Sequence, residues 1–502
     1  MMSSRYFLKL TGLAVLLQAV IIPALAQNAQ IGGRVTDPSG AVIPGTGIVI
    51  INTETGVQRK TTSNDEGYYA IPLLQPGHYQ LTAQKDGFKP LSRDGIVLQV
   101  GDRITLNIAL EIGASSEHVT VTVEVPLLRT EDAQAGLVID NRRIMELPQY
   151  DRNALAFAQL APNVNGQSST GGYGQDFRIN GGRTNQTEYI LDGQPVTTGY
   201  KHDIPPSVPS KEAVAEFKVM TNGLSAEYGR LSGGAVILAT RSGTNEFHGS
   251  AYEFFKNDKL NANQWKSNWL GVDRSVFHDN VFGFTFGGPV WIPKVYNGKD
   301  RTFFFVNYEG TRHVTGNNAE QASVPSMLER QGDFSQSLID AGNPVQIYDP
   351  DTGRLVNGQL VRDPYPGMKI PQSRFDALAK IYTGYYPEPN TTPLPNTTNQ
   401  NNYTYTRNKP SNNNRWTGRL DQNWNSNHST HFSIAQYDYN QTTPRALSAL
   451  EAVGLDTQTA YTASVEHDWT MSPTTIFTFR AGIVRSRTFS GSTVEVNDSG
   501  WN

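Results

Sequence analysis

The chain has 502 residues, a formal net charge of −4 and no cysteine. Its length exceeds what one hydrophobic core usually organises, and its glycine-, tyrosine- and phenylalanine-rich composition favours strands and polar loops over helical bundles, so we expect several mainly β domains. The missing cysteine excludes disulfide frameworks, cysteine-ligated zinc and thiol nucleophiles, and the absence of a Lys/Arg run removes the electrostatic footprint of nucleic-acid binding.

The first 26 residues have the pattern of a secretory signal peptide. Arg5 and Lys9 precede an apolar run at residues 10–25, which ends in a small-x-small cleavage pattern. A membrane-anchoring helix is the alternative, but Gln18 and Pro23 interrupt an already short run. The predicted cleavage site comprises Ala24, Ala26 and Gln27. No later segment approaches the ~20 apolar residues of a spanning helix, so the mature chain must meet any membrane with strands.

Residues 27–112 read as a small β-sandwich. Short strand patterns alternate with turn signals, and in the last strand Ile104, Leu106 and Ile108 alternate with polar or small neighbours, which predicts one buried face. The predicted strands are Ile31–Thr36, Gly47–Asn52, Gly67–Ile71, His78–Gln84 and Arg103–Leu110.

The turns and core positions of this module carry a resemblance. The motifs are Gly33-x-Val35-x-Asp37-x-x-Gly40, Pro44-Gly45, Gly67-x-Tyr69 and Leu74-x-Pro76-Gly77-x-Tyr79-x-Leu81. As a set they resemble the carboxypeptidase regulatory-like domain, an immunoglobulin- or transthyretin-like sandwich often classed with carbohydrate-binding folds. The resemblance leaves a sugar site open, although residues of these types mostly build turns and core.

A β-prone segment, EHVTVTVEV, follows in residues 113–125. Its valines alternate on one face, yet the segment is too isolated to hold itself in a sheet, so it invites pairing with the edge of another chain. The alternative is that it is simply the first strand of the next domain.

Residues 126–245 predict a small α/β domain. Helices are expected at Arg152–Leu160 and at Lys211–Phe217 with Ser210 as the N-cap, and a strand at Ala235–Thr240. Phosphate-loop, dinucleotide-binding, zinc-protease and serine-hydrolase motifs are all missing. We therefore expect no nucleotide cofactor, no catalytic metal and no enzymatic activity.

The glycine motifs of this domain resemble the plug domain of TonB-dependent outer-membrane receptors. They comprise Arg178, Asn180, Gly181, Gly182, Arg183, Tyr189, Asp192, Gly193, Tyr228, Gly229, Gly233 and Gly234. The resemblance implies that a TonB-type protein in the periplasm pulls an extended TonB box ahead of the plug. By position the box comprises Val119, Thr120, Val121, Thr122 and Val123. Arg183 and Asp192 contact substrate or form internal ion pairs, and the ion-pair role is favoured because polar plug interiors need satisfied charges.

Residues 246–502 alternate as a transmembrane β-barrel does. Phe282, Phe284 and Phe286 share one strand face, and Trp416 and Leu420 share another, opposite polar neighbours that include Arg415, Thr417, Arg419 and Asp421. The wall is expected to begin at Phe247. Further predicted strands are Val281–Gly288, Thr302–Glu309, Arg415–Asp421, His431–Tyr439, Tyr461–Thr470 and Thr475–Arg485.

Two polar stretches interrupt these strands. Residues Asn390–Asn414 are rich in Asn, Thr and Pro and predict a long surface loop. Asp349 and Asp351 precede Gly353, which suits either a calcium-binding turn or an Asx turn; the second is favoured because no complete acidic loop follows.

The strand number predicts an incomplete barrel. A lumen that holds a separate plug needs about 22 strands of ~9–11 residues, whereas this part of the sequence offers about seven to nine. No terminal strand carries a C-terminal aromatic residue either. We therefore expect an N-terminal fragment of a longer receptor, with an open sheet.

The whole arrangement resembles the Oar-like group of TonB-dependent receptors. The predicted domains are a signal peptide at 1–26, a sandwich at 27–112, a linker with the TonB box at 113–125, a plug at 126–245 and part of a barrel at 246–502. The resemblance implies transport of a large carbohydrate or peptide solute across the outer membrane of a Gram-negative type bacterium, with the sandwich in the periplasm. The alternatives are an outer-membrane carbohydrate-binding or adhesion protein and a secreted carbohydrate-active enzyme.

Overall fold

The computed structural model describes residues 28–113, 119–122, 135–149, 152–168, 175–183, 186–197, 208–223, 233–271, 273–316, 320–339, 342–443, 453–472 and 475–493. The predicted signal peptide and its cleavage site lie outside these ranges, as do Val123, Tyr228 and Gly229. Within the described ranges, none of the helices combines the length and the apolar character needed to cross a membrane.

The N-terminal domain is a two-sheet sandwich, as predicted. Its strands are β1 (Ala29–Thr36), β2 (Gly47–Asn52), β3 (Gln58–Thr62), β4 (Tyr68–Leu74), β5 (Gly77–Gln84), β6 (Leu91–Leu98), β7 (Arg103–Thr105) and β8 (Ile108–Ala109). One sheet orders β4–β1–β7 with β8 also on β1, and the other orders β3–β2–β5–β6. Apolar side chains from both sheets, such as Ile31, Ile48 and Leu81, form one fully buried core.

Sequence patterns missed two of these strands. β3 reads QRKTT and the first half of β6 reads LSRD, so neither shows the apolar alternation that marks a half-buried strand. The predicted strand Arg103–Leu110 is interrupted between β7 and β8, although Ile104, Leu106 and Ile108 are all buried as the alternation requires.

The segment predicted to be the TonB box lies in a sheet over residues 119–122, which corrects the expectation of an isolated strand. Val119–Thr122 form β9, which pairs in parallel with β6 from Leu91↔Val119 to Asp94↔Thr122. β6 would otherwise end this sheet with unpaired backbone groups on its outer side, and β9 covers them. The alternative of a first plug strand is also wrong, since among the described strands β9 pairs with β6 and with no strand of the plug sheet.

The plug is a small α/β domain around one five-stranded sheet. Its strands are β10 (Ala135–Asp140), β11 (Val164–Ser168), β12 (Gln175–Ile179), β13 (Thr187–Leu191), β14 (Gln194–Pro195), β15 (Val214–Asn222) and β16 (Gly234–Thr240), with helix α1 (Asn141–Glu146). The sheet orders β10–β15–β16–β13–β14, and β11 and β12 form a separate hairpin. The Asp140 carboxylate caps α1 by accepting the Arg143 N–H at 2.8 Å.

Both helices predicted for the plug need correction. The first is a 3₁₀ helix, Ala154–Leu160, which Asn153 caps by accepting the Leu155 N–H at 3.1 Å. The second is a single 3₁₀ turn, Lys211–Ala213, after which the chain continues as β15. β15 pairs with β10 on one side and β16 on the other, and such tertiary pairing overrides a helical pattern of a few residues.

The remaining residues form the barrel wall and its connections. The strands are β17 (His248–Asn257), β18 (Phe277–Pro289), β19 (Trp291–Ile292), β20 (Tyr296–Asn297), β21 (Thr302–Gly316), β22 (Glu320–Ala322), β23 (Arg354–Val356), β24 (Gln359–Val361), β25 (Tyr403–Tyr405), β26 (Asn408–Asn423), β27 (His428–Thr443), β28 (Val453–Ser472) and β29 (Thr475–Thr493). The helices are α2 (Trp265–Trp269) and α3 (Ala377–Tyr385), and one-turn 3₁₀ helices lie at Asp258–Leu260, Glu329–Gln331, Pro350–Thr352, Pro366–Met368 and Gln372–Arg374.

The wall is one antiparallel sheet that follows chain order, β17–β18–β21–β26–β27–β28–β29. Across the described residues β17 and β29 do not pair with each other, so the sheet is open, as the strand number predicts. The predicted alternation is confirmed: Arg415, Thr417 and Asp421 are buried, whereas Trp416 and Leu420 are 45% and 42% exposed.

The predicted loop Asn390–Asn414 ends earlier than expected. Asn408 already begins β26, so Asn412, Asn413 and Asn414 belong to the wall. Asparagine is accommodated because polar partners face it: the Tyr308 hydroxyl donates to the Asn414 side chain at 2.9 Å. Asn414 lies on the outward face with Trp416, whereas Asn413 lies on the buried face with Arg415 and Thr417, so a polar composition does not exclude a barrel strand.

Asp349 forms an Asx turn. Its carboxylate accepts the Asp351 N–H at 3.0 Å, and the Arg374 guanidinium contacts the carboxylates of Asp349 and Asp351 at 2.9 and 2.6 Å. Of the described His, Asp and Glu side chains, no group of three is placed to hold a metal ion.

Candidate functional site

Two glycine motifs of the plug are tight turns. Asn180 and Gly181 have φ of 54° and 71°, and the Gly182 N–H donates to the Ile179 carbonyl at 3.0 Å. Positive φ at both central positions defines a type I′ turn, which Asn-Gly and Asp-Gly favour. Asp192 and Gly193, with φ of 45° and 76°, form the equivalent turn between β13 and β14.

The second turn also carries a side-chain contact. The Asp192 carboxylate accepts the Thr240 N–H at 2.9 Å and the Thr240 hydroxyl at 2.8 Å, and it lies 3.6 Å from the Arg419 guanidinium of the wall. Asp192 is thus an internal anchor. Arg183 has an exposed side chain, and its backbone N–H donates to the Gln186 side chain at 2.9 Å.

Of the other described motif residues, Tyr189 and Gly234 serve close packing. Tyr189 lies in β13, where every side chain is buried, and β13 runs parallel to β16. A side chain at Gly234 would meet the Met220 carbonyl and the Ile179 side chain within 2.6 Å, so only glycine allows this close approach. Gly233 donates its N–H to the Gln186 carbonyl at 3.1 Å, and the Arg178 side chain is exposed.

A second contact between plug and wall centres on Arg152. Its guanidinium pairs with Glu212 of the plug and lies 3.5 Å from Glu309 of β21. Arg415 of β26 reaches the same Glu309 carboxylate at 3.5 Å, and the Tyr252 hydroxyl of β17 donates to it at 3.3 Å. One plug arginine therefore connects to three wall strands through a buried carboxylate.

Charged side chains at this contact, including Lys211, are buried. Burial, reinforced by the neighbouring Arg152 charge, lowers the pKa of Lys211. Lys211 lies over the Phe157 ring, with its Nζ 5.6 Å from the ring centroid. Ser210 fixes the same segment to β21 by donating its hydroxyl to the Asn307 side chain at 2.7 Å.

A third contact surrounds the Asp192–Gly193 turn. Arg419 donates to Asp421 at 3.0 Å and to the Thr240 carbonyl at 3.1 Å. Arg480 of β29 donates to the Gly193 carbonyl at 3.1 Å and pairs with Glu466 of β28. The turn is thus held from two separate wall strands.

Sequence reasoning placed Arg415 and Arg419 on the polar face of their strand but did not identify their partners, Glu309 of the wall and Asp192 of the plug. Glu309, Glu466 and Arg480 were missed as well. The available signal was a charged residue at an inward position of an alternating strand, where a barrel around a plug needs a partner for each charge.

These contacts suit a domain that is held in position and can still be displaced. Desolvation offsets much of the Coulomb energy of a buried ion pair, so such pairs fix geometry more than they add stability. Apolar contacts of the plug core with the wall include Ala435 of β27 and Val484 of β29.

Three family models match the chain in succession. The Carboxypeptidase regulatory-like domain matches residues 30–111 and the TonB-dependent Receptor Plug Domain matches residues 131–236. The Outer membrane beta barrel domain matches residues 239–501, which is more than half of the chain.

The chain is also similar to a curated relative and to two solved structures. The TonB-dependent transporter Oar of Myxococcus xanthus is 28% identical over 339 residues, which cover 65% of this chain and 31% of the relative. The ferric enterobactin receptor of Pseudomonas aeruginosa aligns at 13% identity and a TM-score of 0.39, over 72% of this chain and 42% of that one. The outer membrane transporter YddB of Escherichia coli aligns at 9% identity and a TM-score of 0.41, over 67% and 37%.

This chain therefore spans about a third of the length of the curated relative that it matches. With a regulatory-like sandwich, a plug and an outer-membrane β-barrel wall in that order, it belongs to the Oar-like TonB-dependent receptors of the outer membrane.

Proposed function

We propose that this chain takes part in TonB-dependent transport of a large carbohydrate or peptide solute across the outer membrane. A plug displaced by an energised periplasmic TonB-type protein gates the path. The observation that carries the proposal is the way the plug is held: Arg152 and Asp192 connect it to the inner face of the wall through ion pairs. A purely anchoring barrel has no need for a separate, polar-bonded domain on its lumen side.

The segment that the partner pulls is β9, with Val123 after it. Four residues of parallel pairing attach β9 to the sandwich, and parallel pairing is the weaker kind per residue. Among the described strands β9 has a neighbour on one side only, so its other edge is available for β-augmentation.

The sandwich is assigned to the periplasm from the lengths of the connections. Arg59 of β3 donates to the Ser426 carbonyl at 2.7 Å, in the short turn between β26 and β27. The long connection between β21 and β26 leaves the wall from the opposite strand ends. Outer-membrane barrels place short turns in the periplasm and long loops outside, so the sandwich and its β9 strand face the energy-transducing partner.

Cysteine cross-linking tests the partner. The chain has no cysteine, so a single substitution gives a unique site. Val119→Cys and Val121→Cys are expected to form disulfides in cells with single cysteines placed in the periplasmic domain of the host's TonB protein. The matched control is Val97→Cys, an exposed valine of β6. Cross-linking no stronger than at Val97→Cys would contradict the proposal.

Uptake tests transport itself. Cells producing the full chain receive fluorescent oligosaccharides or fluorescent peptides, and label that survives external hydrolases is counted as internalised. Deletion of residues 119–123, or Val121→Pro, is expected to abolish internalisation while surface binding persists; Val121→Ile, which keeps the strand, retains both. A carbohydrate-binding or adhesion protein without transport would bind label normally in every variant and internalise none in the parent.

A further inference from the structure

The sandwich contacts the plug directly through one loop. Val100, between β6 and β7, is completely buried in an apolar cluster of the plug sheet that includes Ile190 and Ile237. Its backbone N–H donates to the Glu216 carboxylate of β15, and the Lys218 ammonium lies 3.5 Å from the Gly101 carbonyl. The loop that carries Val100 and Gly101 is therefore packed against one face of the plug sheet.

The sandwich also contacts the wall, through a second corner at the same end, where Gly77 of β5 pairs with Leu98 of β6. Arg419 donates to the Gln75 side chain at 2.9 Å, and Gln75 donates to the Asn28 side chain at 2.7 Å. The Asn28 amide in turn lies 3.3 Å from both the Glu466 and the Asp468 carboxylates of β28.

The wall residues at this corner are those that hold the plug. Arg419 contacts Asp192 and the Thr240 carbonyl, and Glu466 pairs with Arg480, which donates to the Gly193 carbonyl. Sandwich, wall and plug thus share one hydrogen-bond network around the Asp192–Gly193 turn.

We propose that the sandwich is a latch for the plug: docked on the wall, it holds Arg419 and Arg480 in the positions that bind the Asp192–Gly193 turn. The Arg419 side chain is only 9% exposed, and its acceptors come from all three domains. A buried guanidinium that loses an acceptor carries a desolvation cost, which it relieves by turning away. Undocking of Gln75 therefore loosens the plug turn without any change in the plug itself.

A hydrogen-bonded path connects β9 to the corner of the sandwich that holds Gln75. β9 is hydrogen-bonded to β6, and β6 to β5, whose first residue follows Gln75 by two positions. A pull on β9 therefore acts on the sandwich through the hydrogen bonds between β9 and β6. This step rests on the proposed function, whereas the latch itself concerns only how the plug is held.

Hydrogen exchange tests the latch in the full chain. The double variant Asn28→Ala with Gln75→Ala is expected to speed amide exchange in the peptide covering residues 187–196 roughly fivefold, the factor for about one net hydrogen bond. The matched control is Gln80→Ala, because Gln80 donates to Asp94 within the sandwich at 2.7 Å and its loss leaves the corner intact. Equal exchange in the double variant and the parent would overturn the latch.

A cross-link gives the reverse experiment and needs no destabilising change. Thr61 of β3 and Asn427 of the β26–β27 turn line one cleft between sandwich and wall. Bridging Thr61→Cys and Asn427→Cys with a bis-maleimide is expected to slow exchange in residues 187–196 relative to the same variant left unbridged. An unchanged rate would contradict the latch. Neither readout involves an energised partner or a solute, so either result leaves the transport proposal to its own tests.

Discussion

The Asp192 carboxylate holds Thr240 through two hydrogen bonds, from the backbone N–H at 2.9 Å and from the hydroxyl at 2.8 Å. Thr240 is the last residue of β16, and the chain enters the wall at His248. The bonds therefore fix the end of the plug sheet to the turn after β13. Because the acceptor is charged and mostly buried, each bond is of the stronger kind.

Asp192→Ala is expected to destabilise the end of the plug sheet. The change removes both bonds and the 3.6 Å contact to Arg419, and hydrogen bonds to a charged group contribute about 1.5–3 kcal/mol each. Asp192→Asn keeps the turn and one acceptor oxygen, so its effect should be smaller. Hydrogen exchange in residues 234–240 measures both variants, with Asp37→Ala in the sandwich as control. Exchange in both variants equal to that of the parent would show that the charge and the bonds contribute nothing.

Gly181→Ala isolates the backbone requirement of the first plug turn. A Cβ at Gly181 meets nothing within 4 Å, so only its φ of 71° opposes the change, at a cost of about 1 kcal/mol. Exchange in residues 175–183 is expected to rise accordingly. Gly384→Ala is the control, and it is expected to stabilise its surroundings. A Cβ at Gly384 also meets open space, but the residue lies in helix α3, where alanine is favoured over glycine. Faster exchange around Gly384→Ala would contradict this reasoning.

The sequence predicted those parts of the fold whose signal is local. Period-two alternation identified both sandwich and wall, because one face of each strand is buried whatever its partner. The Asn180-Gly181 and Asp192-Gly193 pairs entered only as motifs of the plug resemblance, although Asn-Gly and Asp-Gly pairs are themselves local signals of a tight turn. What failed was β15: Val214 and Phe217 suit a helix or a strand, and only pairing with β10 and β16 decides between them.

The contacts of the plug with the wall lay beyond local patterns. Asp192 and Arg419 are far apart in the chain, and each alone is an ordinary charged residue in a polar stretch. Their meeting depends on the order of strands in the wall and on where the plug sits against them. The attachment of β9 to β6 was unpredictable for the same reason, since a short valine-rich strand pairs with whichever edge the fold leaves open.

Alkaline pH is expected to destabilise the sandwich. Burial raises the pKa of Tyr79 to about 12, and its hydroxyl donates to the Gln75 carbonyl at 2.6 Å. A raised folded-state pKa means that the stabilisation is complete below the unfolded value near 10 and is lost as pH rises toward 12. Burial also raises the pKa of Tyr69, which adds to the effect.

Protease nicking of the sandwich at pH 8 to 11.5 measures this loss. Tyr79→Phe is expected to flatten the increase in nicking between pH 10 and 11.5, and the double variant with Tyr69→Phe to flatten it further. Both variants keep the aromatic ring in the core. The same steep increase in the double variant as in the parent would contradict the assignment.

A charged substitution on the outward face of the wall is expected to reduce assembly of the protein in the membrane. Phe284, Tyr308 and Trp416 form an aromatic cluster there, with ring centroids 6.2 Å apart for Phe284 and Trp416 and 4.5 Å for Tyr308 and Trp416. Phe284→Lys places an ammonium in the lipid hydrocarbon at a cost of about 2–4 kcal/mol near the bilayer centre, and so should reduce the heat-modifiable, membrane-assembled form on gels. Phe284→Leu keeps the surface apolar and should assemble as the parent does. Equal assembly of the Lys and Leu variants would mean that this face does not meet lipid.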